Sequence, residues 1–139
     1  TDKVVFFFFL IRGLGQIPRL LLAYTETKWD EVKYDPANNG SARTKLISDY
    51  YFPIYLSEDG DFKLTESKAI NLYIIKRAGN NELLGKNIQD EQRLMIIGTL
   101  QDIRTPIIPL LWDQEWQAKV PTVFEKISPK LEELAKFYG

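Results

Sequence analysis

The chain has 139 residues, of which 45% are hydrophobic and 27% charged, with a formal net charge of −1. This composition is typical of a soluble globular protein with room for one domain, or one small domain plus part of a second. The chain has no cysteine and no histidine, which excludes disulfides, a thiolate nucleophile and histidine as general base or zinc ligand. The near-neutral charge gives no indication of a nucleic-acid partner. The longest apolar run, Val4–Ile11, has eight residues, whereas a membrane-spanning helix needs about 20. We therefore expect no membrane span. We also expect no bound metal.

The N-terminal third predicts a strand, a helix and a second strand. Val4–Ile11 is continuously apolar, which indicates a strand buried on both faces. Residues 14–24 carry apolar side chains at helical spacing, and residues 29–34 alternate as in a strand. Residues 35–40, DPANNG, have the composition of a turn.

The next elements are a hairpin and a helix. Residues 54–56 and 62–64 flank the pair Asp59–Gly60, which marks a hairpin turn. A helix is predicted from about Glu66 to Ala78, closed by Gly79. Strands that alternate with helices and finish in a hairpin predict a mixed sheet.

After a predicted linker at residues 81–87, the pattern is helical throughout. Apolar residues that step by 4, 3, 4 and 3 predict a long helix, bent at Pro106 and Pro109; they are Ile96, Leu100, Ile103, Ile107 and Leu110. Residues 131–138 form a further apolar stripe, in a helix that contains Pro129. The sequence therefore predicts an α/β domain at 1–80 and an all-α region at 88–139.

Four segments in this order resemble a known family: VVFFFFLIRGLGQIPRLLLAY, YFPIYL, LTESKAI and QDIRTPIIPLLW. They are similar to the cytosolic glutathione transferases, particularly the mu-, pi- and sigma-like branch, over the whole chain. The resemblance implies a thioredoxin-like domain with a mixed four-stranded sheet, followed by a partial all-helical domain that lacks the C-terminal helices. The chain is then a fragment, or its helical domain is truncated. The resemblance also implies glutathione as substrate or ligand, a homodimer or a subunit of a larger assembly, and a cytoplasmic location, with the organellar matrix left open.

Glu66 and Ser67 begin the predicted helix of the first domain. A helix N-terminus presents unpaired amides and a partial positive charge, which suit a carboxylate. In the family the matching pair holds the γ-glutamyl end of glutathione. The alternative is that Thr65 or Ser67 only caps the helix.

Two further glutathione contacts follow from the resemblance. In the family the proline that matches Pro53 follows a cis peptide bond, and the residue matching Phe52 pairs its main chain with the cysteinyl part of glutathione. A trans proline on an edge strand is the alternative. Lys45 lies near the place where a basic residue meets the glycine carboxylate.

Two other residues, Asp102 and Trp112, have open alternatives. Asp102 matches an acid that reaches the γ-glutamyl amine across the dimer interface, or it is a solvated helix charge paired with a nearby lysine or arginine. Trp112 matches a position that lines the pocket for the hydrophobic co-substrate, or it is a core residue. We expect Arg12 to bridge the turn after the first strand.

The sequence departs from the family at Phe8, where the related members have a tyrosine that donates its hydroxyl to the glutathione sulfur. A hydrogen bond to a charged acceptor contributes about 1.5–3 kcal/mol, and no hydroxyl or thiol occurs between Lys3 and Tyr24. A second departure is Asp49, which stands where the family has an aromatic dimer contact; Tyr50 or Tyr51 could replace it.

Two classes of function therefore remain. The first is a protein that binds glutathione with weak or lost conjugating activity, acting as a scaffold or accessory subunit. The second is an active transferase that conjugates glutathione to hydrophobic electrophiles, activated by a backbone amide, a water or Arg12.

Overall fold

A computed structural model of the protein describes residues 3–34 and 54–138. The chain divides into two compact units, Thr1–Leu83 and Leu84–Gly139. Within the predicted linker at 81–87, Asn81–Leu84 forms a short 3₁₀ helix.

The first unit contains a four-stranded mixed sheet, as predicted. Its strands are β1 (Val4–Phe9), β2 (Trp29–Tyr34), β3 (Tyr55–Glu58) and β4 (Phe62–Thr65), in the spatial order β2-β1-β3-β4. β1 runs parallel to β2 and antiparallel to β3, and β3 pairs antiparallel with β4. Phe6 in the centre of β1 lies opposite Glu31 of β2 and Leu56 of β3.

Strand β1 ends at Phe9, two residues before the predicted end at Ile11. Its side chains alternate between buried and half-buried, so the expectation of burial on both faces is only partly correct. Val4, Phe6 and Phe8 point into the core because successive strand side chains point to opposite faces. Phe8 therefore belongs to the core of the first unit.

The β3–β4 hairpin closes as its sequence predicts. Asp59 and Gly60 have φ values of +51° and +83°, the pair of left-handed residues that a mirror-image turn requires. The backbone N–H of Lys3 donates to Oδ1 of Asp59 at 3.1 Å, which joins the turn to the start of β1.

Two helices among the described residues cover the sheet. Helix α1 (Gln16–Tyr24) follows a 3₁₀ turn at Gly13–Gly15, and helix α2 (Ser67–Arg77) follows β4. Beyond the end of α2, Gly79 has a φ of +75° and the Asn80 N–H donates to the Ile75 carbonyl at 3.1 Å, a glycine-terminated helix end. The core cluster comprises Val4, Phe6, Phe8, Leu22, Ile54, Leu56, Ile70 and Ile74.

The second unit contains two long helices, α3 (Ile88–Ile107) and α4 (Trp116–Tyr138). Asn87 caps α3 by accepting from the Asp90 N–H at 3.0 Å. The predicted irregularity near Pro109 takes the form of a 3₁₀ helix, Ile108–Trp112, because a proline has no N–H to continue the α-helical ladder. Helix α4 begins well before the predicted stripe at 131–138 and contains Pro121 and Pro129.

The segment Ile88–Trp112 is long and apolar enough to cross a bilayer by length and composition alone, with a mean hydropathy of 1.3 in its most apolar window. We expected no membrane span because no uninterrupted apolar run is long enough. This helix is apolar on average but is interrupted by polar residues, so that criterion did not detect it. Core helices of soluble proteins satisfy the same criterion.

Candidate functional site

The start of helix α2 has an unusual backbone. Glu66 has φ +72° and ψ +115°, a region that residues with a Cβ rarely occupy. Its carbonyl accepts the first helical hydrogen bond, from the Ile70 N–H at 2.9 Å, while its exposed side chain does not cap the helix. The backbone therefore enters α2 through a strained residue, as is common where a protein holds a ligand.

Neither residue proposed as a simple cap acts as one. The Thr65 hydroxyl donates to the Ile54 carbonyl at 2.9 Å and joins β4 to the start of β3. Ser67 is the first residue of the helix and not its N-cap. The N-cap residue Glu66 also makes no side-chain cap. The first amides of α2 therefore have no hydrogen-bond acceptor in the side chains of Thr65 or Glu66, and amides left unpaired in this way suit a carboxylate.

Phe8 lies near the carboxyl end of β1, with only 4% of its surface exposed. Its ring lies 6.4 Å from that of Phe6 and 5.6 Å from that of Phe9, measured between centroids. A Cβ added to Gly15 would lie 2.3 Å from Cδ1 of Phe8. Glycine at position 15 therefore makes room for the ring.

Arg19 on α1 holds the segment that follows β1. Its Nη2 donates to the Phe9 carbonyl at 3.2 Å and its Nη1 to the Ile11 carbonyl at 2.9 Å. Its Nε donates to Oε1 of Glu31 on β2 at 2.6 Å, so the guanidinium charge is balanced inside the unit. This is the bridging role expected of Arg12, which is instead exposed.

The sequence reasoning missed Arg19 and Glu31. A signal was present, because Arg19 follows the buried Pro18 and precedes the buried Leu22 by three positions on the same helix. A charged residue on the inward side of a short apolar helix requires a partner within the fold. Glu31, the acid in the middle of β2, supplies that partner.

A second polar cluster was also missed. The Glu58 carboxylate at the end of β3 accepts from Nε of Arg77 at 2.6 Å and from the hydroxyl of Tyr73, both on α2. The Tyr73 ring also stacks on Phe62 of β4, at 4.7 Å between centroids. These contacts attach α2 to the hairpin and fix the direction in which α2 starts.

Three of the predicted glutathione contacts, Lys45, Phe52 and Pro53, lie outside the described residues, as do Asp49, Tyr50 and Tyr51 of the predicted dimer contact. The cis bond before Pro53 and the main-chain contact of Phe52 therefore stay predictions.

Asp102 and Trp112 belong to the second unit. Asp102 is exposed, and its Oδ2 accepts from Nζ of Lys130 on α4 at 2.8 Å, the lysine pairing named as its alternative. The Trp112 side chain is 73% exposed, so the alternative of a core tryptophan is wrong. An exposed indole is consistent with a ligand contact but does not by itself indicate one.

The sheet order, the hairpin and the two covering helices define a thioredoxin-like domain, here followed by a helical unit. A family model described as "Glutathione S-transferase, N-terminal domain" matches residues 5–76. The chain belongs to the cytosolic glutathione transferase family.

Curated relatives agree with this assignment. Glutathione S-transferase 2 of Gallus gallus is 33% identical over 138 residues, which cover 93% of this chain and 61% of the relative. Glutathione S-transferase Mu 3 of Homo sapiens is 30% identical, with 93% of this chain and 60% of the relative covered. The chain thus spans about three fifths of the length of these relatives.

Solved structures share the fold. The glutathione S-transferase of Ascaris lumbricoides superposes with a TM-score of 0.70 at 25% identity, covering 98% of this chain and 68% of that one. A nematode-specific transferase of C. elegans gives a TM-score of 0.71 at 18% identity, covering 98% of this chain and 68% of that one.

Proposed function

We propose that this chain binds glutathione through its thioredoxin-like unit and conjugates it weakly or not at all. The observation that carries the proposal is the uncapped start of α2, where Glu66 has a strained backbone and Ser67 is the first helical residue. In this assignment the γ-glutamyl carboxylate binds the amides at Ser67 and the serine hydroxyl. Phe52, the cis bond before Pro53, and Lys45 complete the site, as the family resemblance implies.

Weak conjugation follows from Phe8. Transferases of this branch activate the sulfur with a tyrosine hydroxyl, and phenylalanine has none to donate. Arg19, whose guanidinium carbon lies 5.6 Å from the Phe8 ring centroid, already donates to Glu31 and two carbonyls. Without a donor, a thiol of pKa about 8.5 is only a few per cent ionised at neutral pH.

Retention on immobilised glutathione, measured together with turnover of a generic aryl halide, tests the proposal. We expect retention with little turnover. Ser67→Ala should weaken retention roughly tenfold or more, because a hydrogen bond to a charged acceptor is lost. Ser128→Ala is the matched control, since its hydroxyl donates within α4 to the Phe124 carbonyl. No retention of the unmodified chain would contradict glutathione binding, and equal loss in both variants would contradict the role of Ser67 in it.

The second candidate function is an active transferase that conjugates glutathione to hydrophobic electrophiles. Its support is the family resemblance, which matches Trp112 to a position that lines the co-substrate pocket, together with the exposure of the Trp112 indole, because such a pocket needs apolar surface. Robust turnover by the unmodified chain, reduced by Trp112→Ala with unchanged retention on glutathione, would establish this alternative and overturn the assignment of Phe8.

We also propose a homodimer or incorporation into a larger assembly, in the cytoplasm as for the family. Support comes from two exposed apolar side chains of the first unit, Phe62 on β4 and Leu72 on α2. The exposed lysines 68 and 76 lie one helical turn on either side of Leu72. Leu72→Asp should shift the sedimentation coefficient towards the monomer. Leu111→Asp, at an exposed leucine of the second unit, is the control and should not.

The assignment of residues 1–80 to glutathione binding and of 88–139 to a partial helical domain is part of the same proposal. In a dimer, Asp102 would serve the γ-glutamyl amine of the partner subunit's ligand. Because Asp102 is paired with Lys130, this role requires the ion pair to open or to be shared. Lys130→Met should then strengthen retention on glutathione.

A further inference from the structure

Helices α3 and α4 of the second unit leave a cleft between them, with a volume of about 130 Å³. An apolar cavity of about 150 Å³ holds a benzene molecule, so this cleft has room for roughly one aromatic ring. Each helix contributes residues at positions i, i+1 and i+4, which share one helical face. The lining residues are Met95, Ile96, Thr99, Glu133, Leu134 and Phe137.

Most of the cleft is apolar. Ile96 is buried and Leu134 half-buried, whereas Met95 and Phe137 are exposed. A ligand in the cleft would therefore cover apolar surface that now faces water, which is favourable. A methionine sulfur and a phenylalanine ring both make favourable contacts with aromatic rings. The lining thus suits an aromatic group better than an aliphatic one of the same size.

The cleft also carries a negative charge that nothing in the described part of the chain neutralises. The exposed Glu133 carboxylate takes part in no hydrogen bond or ion pair there. Lys130, one turn earlier on α4, donates to Asp102 at 2.8 Å, and the exposed Lys136, one turn later, is not paired with Glu133. The half-buried Thr99 adds a hydroxyl that can accept a hydrogen bond. The polar part of the lining therefore favours a positively charged donor.

We propose that this cleft binds small aromatic ammonium ions, with the ring between α3 and α4 and the ammonium group at the Glu133 carboxylate. Burial of the ring supplies most of the affinity, because an ion pair at an exposed carboxylate changes binding by no more than about fivefold. The charge instead decides which aromatic compounds bind best. The site lies wholly within the second unit, so the proposal does not depend on glutathione binding by the first.

Titration of the ¹⁵N-labelled chain with 2-phenylethylamine and with 2-phenylethanol at neutral pH, followed by amide chemical shifts, tests the proposal. The two probes share the ring and differ in charge. We expect both to shift the amides of residues 95–99 and 133–137, with the amine bound about threefold to fivefold more tightly. Ethylamine, which has the charge without the ring, should bind far more weakly than either. High salt should remove the difference between the two aromatic probes, because it screens an exposed ion pair.

Two pairs of variants separate the charge from the apolar lining. Glu133→Gln should weaken 2-phenylethylamine about threefold to fivefold and leave 2-phenylethanol unchanged. Glu132→Gln, at the neighbouring exposed glutamate outside the lining, should change neither. Phe137→Ala should weaken both probes, because both lose the contact with its ring. Phe124→Ala, at an exposed phenylalanine of the same helix outside the lining, is its control and should change neither.

Tighter binding of the amine that depends on Glu133, with shifts confined to the two lining segments, supports the proposal. Equal affinity of the two aromatic probes, or shifts elsewhere in the chain, overturns it. Binding of neither probe also overturns it. If Phe137→Ala then lowers the sedimentation coefficient, a second copy of the chain occupies the cleft instead. Retention on immobilised glutathione is a separate measurement, so failure of either proposal leaves the other intact.

Discussion

The guanidinium carbon of Arg19 lies 5.6 Å from the centroid of the Phe8 ring, and the same side chain donates to the carbonyl of Phe9. One residue of α1 therefore contacts the Phe8 ring and fixes the backbone directly after it. Glu31 on β2 holds Arg19 from the other side. The end of β1 is thus positioned by an ion pair between α1 and β2.

We expect Glu31→Gln to destabilise the first unit by about 2 kcal/mol, because the charge of Arg19 is left with no balancing acid in a largely buried site. The two side chains are only 15% and 16% exposed. The control is Asp30→Asn, on the neighbouring residue, whose partner Lys3 is 67% exposed; it should cost less than about 1 kcal/mol. Urea unfolding followed by the fluorescence of Trp29, with Trp112 and Trp116 replaced by Phe, measures both. Equal costs would show that the Arg19 pair has no special role.

Gly15→Ala should destabilise the first unit by about 3 kcal/mol, because the new Cβ would lie 2.3 Å from Cδ1 of Phe8 and the packed ring cannot move without strain. Gly98→Ala is the matched control, since among the described residues no atom outside its own stretch of helix lies within 4 Å of its added Cβ. It lies inside α3 and should stabilise by about 0.5–1 kcal/mol. Adding Phe8→Leu to Gly15→Ala should recover part of the lost stability. If it recovers none, the clash of the new Cβ is with a residue other than Phe8.

Most of the first unit follows from its sequence pattern. Three of its elements are specified by neighbouring residues alone, and the structure has each of them where the sequence predicts it. They are the strand at 29–34, the turn at Asp59–Gly60 and the end of α2 at a glycine. The ends of elements were less predictable. Ile11 is apolar but lies beyond β1, because the chain turns at Gly13, whose φ is +38°, to begin α1.

The site is less predictable, because side chains from separate elements build it. No periodicity specifies that Arg19 of α1 meets Glu31 of β2, or that Glu58 of β3 meets Arg77 of α2. Arg12 is close to the turn in sequence, but whether a side chain can bond the carbonyls after β1 depends on the direction in which it points in the folded unit. The helical repeat in 96–110 indicated α3 correctly, yet it could not show that Trp112 would be exposed.

Glu66→Gly should raise the stability of the first unit by about 1 kcal/mol, because glycine adopts a positive φ without the clash of a Cβ. If Glu66 contributes to the glutathione site, retention on immobilised glutathione should fall in the same variant. Glu26 also has a positive φ, of +53°, and lies after α1. Glu26→Gly is therefore the control: we expect a similar gain in stability with unchanged retention. Loss of retention in both variants would point to a general effect of backbone flexibility.

Asn71→Leu should stabilise the first unit by about 1 kcal/mol. The Oδ1 atom of Asn71 on α2 is buried and has no hydrogen-bond partner among the described residues, and an unpaired buried acceptor is unfavourable. Leucine is also the better helix former. Asn71→Asp is the contrasting variant, since it places a charge there and should destabilise. Urea unfolding of the three proteins measures the effect, and a destabilised Asn71→Leu would mean that the amide has a partner in solution.

The pKa of the Asp113 carboxyl lies below its ordinary value of 3.8, chiefly because Lys119 donates to it and secondarily because the Glu115 N–H does. The distances are 2.5 Å from Nζ of Lys119 to Oδ2 and 2.8 Å from the Glu115 N to Oδ1. Since the folded pKa is lower than the unfolded one, this contact contributes stability above pH about 4 and loses it as the pH falls through the folded pKa. The contribution belongs to the start of α4.

Lys119→Met should therefore raise the pKa of Asp113 towards 3.8 without removing the backbone contact. A carboxyl ¹³C NMR titration of Asp113 in both proteins measures the shift directly. Lys126→Met, on the same helix and also exposed, controls for the loss of one positive charge and should leave the pKa of Asp113 unchanged. If Lys119→Met does not change it either, the Glu115 amide alone holds the carboxylate, and the start of α4 depends on the backbone turn at Asp113 and not on the lysine.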